Sequence, residues 1–240
     1  MREVGRRPSG VGREQTPDAR RPTPDAVRIW DLPTRLFHWT LAILVVFSFI
    51  TGKLGGDLME WHLRSGYTIL TLVLFRVLWG LAGAHHALFA NFVRGPVEIA
   101  RYVRALVSGA SAAHAGHNPL GALSVLAMLA ALLVQTSTGL FANDDIATEG
   151  PLAKLVSDNM SDRLTSVHKI NETVILVLVV LHLAAVAYYY FVKRHDLVRP
   201  MITGDKAIAA EPSEDNLALR ARAVIFLALC AGLVGYVVRL

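Results

Sequence analysis

The sequence predicts an all-α integral membrane protein with five transmembrane helices, and three observations carry that reading. Of its 240 residues 53% are hydrophobic, and the mean hydropathy of +0.43 exceeds what a soluble core requires. Five stretches reach the length of about 17 to 25 mostly apolar residues that crosses a bilayer: Thr34 to Gly52, Leu63 to Ala82, Leu120 to Phe141, Val167 to Val192 and Arg222 to Val238. Their boundaries carry helix-start chemistry, because Asp31 and Pro33 can open the first, Asn118 with Pro119 the third, and Thr165 the fourth.

The leader from Met1 to Ala26 is rich in Pro and Arg and has no apolar stretch, so it reads as a disordered tail and not as a signal peptide. Basic residues near the spans set orientation. The leader and its continuation to Arg35 are rich in Arg, the second connection holds Arg94, Arg101 and Arg104, and the fourth holds Lys193, Arg194, Arg199, Lys206 and Arg220. These stretches are expected in the cytoplasm, with the N-terminus. The third connection carries Asp144, Asp145, Glu149, Asp158 and Asp162 against Lys154 and Arg163, so it is expected on the outer side of a bacterial inner membrane. The sequence pI near 9.6 then reflects basic loops beside lipid, and no nucleic-acid motif accompanies it.

Ionisable residues inside membrane spans are costly and point to function. Four histidines meet that description: His38, His62, His168 and His182. His168 and His182 lie fourteen residues apart on one span. At about 1.5 Å and 100° per residue they share a helix face some 21 Å apart. Depth then pairs His38 with His182 near the cytoplasmic surface and His62 with His168 near the outer one. Two neutral imidazoles suit the axial positions of a haem iron and leave no open position for chemistry, which favours electron transfer across the bilayer. The only cysteine, Cys230, stands in no C-x-x-C-H pattern, so the haems expected are non-covalent b haems. The competing reading for His38 and His62 is an interfacial position beside Trp39 and Trp61.

Arg76 follows His62 by fourteen residues, which directs a guanidinium toward the cytoplasmic pair. A haem propionate there would offset its burial; a carboxylate or a headgroup is the alternative. Gly52 follows His38 by the same step and Gly66 follows His62 by four residues, giving small neighbours to a flat macrocycle or simple helix contacts. Phe92 to Val107, with Pro96 as a helix start, is expected to form an interfacial helix. His85, His86, His114, His117 and His195 are expected to be surface or capping residues. The acidic outer connection could steer a basic electron-carrying protein.

The segments VRIWDLPTRLFHW (Val27 to Trp39), HLRSGY (His62 to Tyr67), LFRVLWG (Leu74 to Gly80), FVRGP (Phe92 to Pro96), GHNPLG (Gly116 to Gly121), GLFANDD (Gly139 to Asp145) and DLVRPMITG (Asp196 to Gly204) resemble the bacterial cytochrome b561 family. That group includes b-type cytochrome subunits of nickel-iron hydrogenases. The resemblance implies a four-helix transmembrane bundle over residues 27 to 206 holding two b haems, with His38, His62, His168 and His182 as ligands, and exchange of electrons with membrane quinone. The stretch 207 to 240 is then a linker and an additional C-terminal transmembrane helix.

The function expected is electron transfer between a periplasmic redox protein or hydrogenase-type enzyme and the quinone pool of a respiratory chain. Arg35, Arg76 and Tyr188 are candidates for quinone contact. A free-standing oxidoreductase acting on superoxide or another small molecule competes with it. A proton-coupled carrier and a purely structural subunit, both without iron, are the readings from other classes.

Overall fold

The computed structural model describes residues 26–110, 114–144 and 148–240. The expected leader lies outside these residues apart from Ala26, as does Asp145. The elements in chain order are β1 (Ala26–Arg28), α1 (Leu32–Leu54), α2 (Met59–Ala82), α3 (Phe89–Phe92), α4 (Pro96–Val107), α5 (Pro119–Gly139), α6 (Asp158–Phe191), α7 (Val198–Thr203), β2 (Asp205–Ala207) and α8 (Leu217–Val237). Helices α1, α2, α5, α6 and α8 are long and apolar enough to cross a membrane, and the chain is an all-α, multi-pass membrane protein. Among the described residues one small sheet forms, β1 antiparallel to β2, pairing Val27 with Lys206.

Two helix starts follow from local chemistry. The Asp31 side chain accepts from the Thr34 amide with Pro33 behind it, and the Asn118 side chain accepts from the Gly121 amide with Pro119 at the first position. The fourth span differs from expectation. Helix α6 begins at Asp158, and Thr165 lies inside it instead of capping it. The reason is a polar stripe one turn apart. Ser161 Oγ donates to the Phe141 carbonyl, while Thr165 Oγ1 accepts from the Asn143 amide. Those two hydroxyls hold the acidic connection against the helix, which therefore continues beyond the apolar run. The fifth helix likewise begins at Leu217, five residues before Arg222, because Asn216 caps it by accepting from the Leu219 amide.

Helix α2 is the centre of the packing. Ile69, Leu72, Val73, Phe75 and Trp79 from α2 meet Leu129 and Leu132 of α5 and Leu219, Ala223 and Cys230 of α8 in one buried cluster. Helix α1 packs along α2, and α6 packs along α5. The fifth helix is thus seated on the centre of the bundle. Its start is tied to the N-terminal strand as well, because Arg28 bonds both Asp205 and Asp215 at 2.6 Å and Arg220 reaches Asp215 at 3.0 Å. These contacts gather the ends of α1, α7 and α8 at one end of the bundle, called the basic end below. The opposite end carries the acidic connection.

Asp31 secures the basic end. It is fully buried, and its carboxylate accepts from the Thr34 amide (2.9 Å), the Thr34 hydroxyl (2.7 Å) and the Trp79 indole N–H (3.2 Å). Burial pushes the Asp31 carboxyl pKa upward, opposed by those same donors. Asp31→Ala removes a helix cap and strands the buried indole N–H. It is expected to cost about 2–4 kcal/mol, read as a lower midpoint of thermal unfolding in detergent, and an unchanged midpoint would contradict this anchoring role.

Candidate functional site

The four span histidines meet as two pairs. His38, in the second turn of α1, faces His182 of α6 with ring centres 6.4 Å apart at the basic end. His62, in the first turn of α2, faces His168 of α6 with ring centres 6.2 Å apart at the acidic end. A metal bonded to one nitrogen of each ring, at the usual imidazole distance of about 2.0 Å, separates ring centres by about 6 Å. Both pairs have that separation. Among the described residues, no cluster of three or more His, Cys, Asp or Glu forms. A metal between paired rings would take its remaining ligands from outside these side chains, and a macrocycle can supply them.

Helix α6 runs unbroken past both His168 and His182, so it holds the two pairs about 21 Å apart along its axis. His168 lies ten residues inside α6 and not at its start. Asn171, one turn beyond His168, donates to the Ala131 carbonyl and to Gln135 Oε1 of α5. Those bonds fix the rotation of α6 on α5 where the ligand stripe begins.

At the acidic end each ring is oriented by a backbone carbonyl. His62 Nδ1 lies 2.8 Å from the Ser48 carbonyl, and His168 Nδ1 lies 2.9 Å from the Gln135 carbonyl. An Nδ1–H donated to a carbonyl fixes the tautomer and leaves the Nε2 lone pair for a metal. Two glycines make room for the rings. A Cβ on Gly52 would stand 2.8 Å from His62 Nδ1, and one on Gly139 would stand 2.9 Å from His168 Cε1. Gly52 therefore makes room for the His62 ring. Around the Cβ position of Gly66 nothing lies within 4 Å, so this residue leaves the space beside His62 open. Gly139 carries no histidine-facing signal in the sequence beyond its place in the family-like segment GLFANDD.

The basic end is built differently. Among the described residues, His38 Nδ1 and Arg76 Nη1 are buried without a hydrogen-bond partner. Arg76 is 3% exposed, and no described carboxylate pairs with it; its guanidinium lies over the rings of Phe89 (5.0 Å) and Phe92 (6.0 Å). Gly80 permits this arrangement, since a Cβ there would collide with the Phe89 ring. A buried cation needs an anion. Together with the ring spacings, these features fit a haem, whose iron would take the paired imidazoles and whose propionate would meet Arg76.

The remaining histidines divide. His86 Nε2 lies 2.8 Å from the Glu211 carbonyl, His85 is 3.8 Å from the Glu211 carboxylate, and the His195 amide donates to the Tyr189 carbonyl beyond the end of α6. The His114 ring packs edge-on to Tyr102. His117 is different. Its ring is held between Trp30 (4.8 Å) and Phe92 (4.6 Å), and its Nδ1 is buried without a described partner. Burial first, then Arg76, His38, His86 and His182, push the His117 pKa down to about 3, so its ring is neutral. Helix α4 forms from Pro96 to Val107, as expected, and Tyr102 holds it to α6 through a 2.5 Å bond with the Tyr189 hydroxyl.

Comparison with known proteins gives a consistent result. The family described as prokaryotic cytochrome b561 matches residues 29–204. A probable Ni/Fe-hydrogenase B-type cytochrome subunit of Azotobacter vinelandii is 26% identical over 217 residues, covering 75% of this chain and 88% of that one. The corresponding subunit of Azotobacter chroococcum has the same identity and coverage, and that of Bradyrhizobium diazoefficiens is 22% identical over 215 residues, covering 75% and 85%. No solved structure gives a significant match. The chain therefore belongs to the prokaryotic cytochrome b561 family, the haem b electron-transfer proteins of membranes.

Proposed function

We propose that this chain carries electrons across a bacterial inner membrane between two haem b groups, one held by His38 and His182 and the other by His62 and His168. The observation that carries the reading is the pair of imidazole couples at opposite ends of α6, each spaced for one metal. Bound there, haem b supplies a one-electron iron couple. The chain's own residues supply the axial nitrogens, the carbonyls that orient them and a buried cation.

The distribution of basic residues supports a cytoplasmic position for the His38 and His182 end and a periplasmic one for the acidic connection. The relatives' names supply the partner class. An enzyme of the nickel-iron hydrogenase type would exchange electrons at the periplasmic end. Membrane quinone would do so at the cytoplasmic end. An apolar groove of about 530 Å³ supports that assignment. It lies between α6 and α7, is lined by Leu183, Val186, Tyr190, Phe191, Arg199 and Ile202, and begins one residue beyond His182. Arg35 is already engaged with the Ile202 carbonyl at 2.6 Å, so Arg199 is the guanidinium that lines this groove.

A pyridine haemochrome assay on the purified chain tests the reading, with two haems per chain expected. A folded chain without haem would sink it. Leu183→Trp, which fills the groove, is expected to slow quinone reduction by roughly tenfold or more, about 1.4 kcal/mol, with unchanged haem content. A wild-type rate would move the quinone site elsewhere.

A further inference from the structure

We propose that His117, together with Arg76, anchors a propionate of the cytoplasmic haem and so sets the potential of that haem alone. The inference rests on the di-haem reading and adds a positioning residue that does not ligate iron. Two independent features of the basic end converge on it. Arg76 Nη1 and His117 Nδ1 are both buried and lack hydrogen-bond partners among the described residues. Both also rest on the same ring, since the Arg76 guanidinium lies 6.0 Å and the His117 imidazole 4.6 Å from the centre of Phe92.

The neutral imidazole of His117 has one nitrogen able to accept from a guanidinium, yet no hydrogen bond joins the two groups, and Arg76 Nη1 and His117 Nδ1 each remain without a partner among the described residues. One group that accepts from both is a carboxylate. The carboxylate nearest in charge terms, Asp31, is already committed to Thr34 and Trp79. The electrostatic influence of His38 and His182 on His117 places the cluster beside the cytoplasmic ligand pair. A haem held by that pair would bring carboxylates of its own. Trp30 packs edge-on to the His117 ring, and Asn118, which follows it, caps α5. The geometry is thus supplied by the first, second and third spans together.

The acidic-end rings differ in kind, because their Nδ1 atoms meet backbone carbonyls instead. A donor to a propionate offsets negative charge that would otherwise favour ferric iron. Its loss should lower the potential of the cytoplasmic haem and leave the other unchanged.

The test is a potentiometric titration of the purified full chain, with the cytoplasmic component identified as the one missing from His182→Ala. His117→Leu is expected to raise the oxidised-to-reduced ratio of that component about tenfold at fixed potential, which is a fall of about 59 mV for one electron. His117→Gln, which keeps a donor between Trp30 and Phe92, is expected to restore most of it. Loss of the cytoplasmic haem in His117→Leu with retention in His117→Gln would also bear the proposal out. Wild-type potentials in His117→Leu, an equal shift in both haems, or failure of both variants to fold would overturn it. Absence of haem from the wild-type chain would instead overturn the di-haem reading, so the two failures are distinguishable.

Discussion

Replacing His182 by alanine is expected to halve the haem of the purified protein and to abolish transmembrane electron transfer while the helix bundle stays folded. His182 lies far from either end of α6, on the side facing His38. Its loss leaves one imidazole for a centre built on two, and the buried His38 Nδ1 and Arg76 Nη1 are left without a satisfying partner. His168 stands about 21 Å away on the same rigid helix and keeps its bond to the Gln135 carbonyl. The remaining haem should therefore show the redox and spectral properties of the acidic-end component. His114→Ala serves as the control, because that ring packs on Tyr102 outside both pairs. A His182→Ala protein that retains two haems would contradict the assignment of this pair.

The second large effect is expected from a glycine. Gly139→Val should release the acidic-end haem, or weaken its retention by about 10- to 100-fold, the range found when groups that orient metal-binding histidines are lost. A Cβ at this position would stand 2.9 Å from His168 Cε1 and 3.2 Å from Nδ1, and the ring cannot retreat without leaving the Gln135 carbonyl. Gly52→Val should act in the same way on His62, whose Nδ1 would meet the new carbon at 2.8 Å. Haem content measured against protein, together with the spectrum of what remains, checks both variants. Retention of two haems with unchanged potentials in both would show that the rings have room to move. The basic-end haem is the internal reference, since neither glycine approaches His38 or His182.

Much of this arrangement is legible in the sequence because it is local or periodic. Span lengths follow from composition, and the caps at Asp31 and Asn118 follow from residues within three positions of each helix start. The fourteen-residue step of His168 and His182 is a property of one helix, so it can be read without knowing any neighbour. What escapes is non-local. The start of α6 is not legible, because Ser161 and Thr165 look like a polar boundary until Phe141 and Asn143 dock on them. His117 could not be separated from His114 in the sequence, since the residues that distinguish it, Trp30, Arg76 and Phe92, come from three other segments of the chain. Gly139 stands in a family-like segment, but its role shows only when His168, twenty-nine residues later, is packed against it.

The packing of α6 has a consequence for assembly. This helix leans on α5, whereas α1 and α8 lean on α2, so the bundle consists of two leaves joined along the contact between α2 and α5. Each imidazole pair takes one ring from each leaf. Near the acidic end the leaves are also bridged by Lys53 and Glu172 at 2.7 Å. A cofactor gripped by rings from both leaves binds the closed chain and not the open one, and such a ligand adds its binding free energy to the stability of the fold. Haem binding would then favour the closed bundle, so in the cell the supply of haem would influence how much of this protein survives, as well as how much of it conducts.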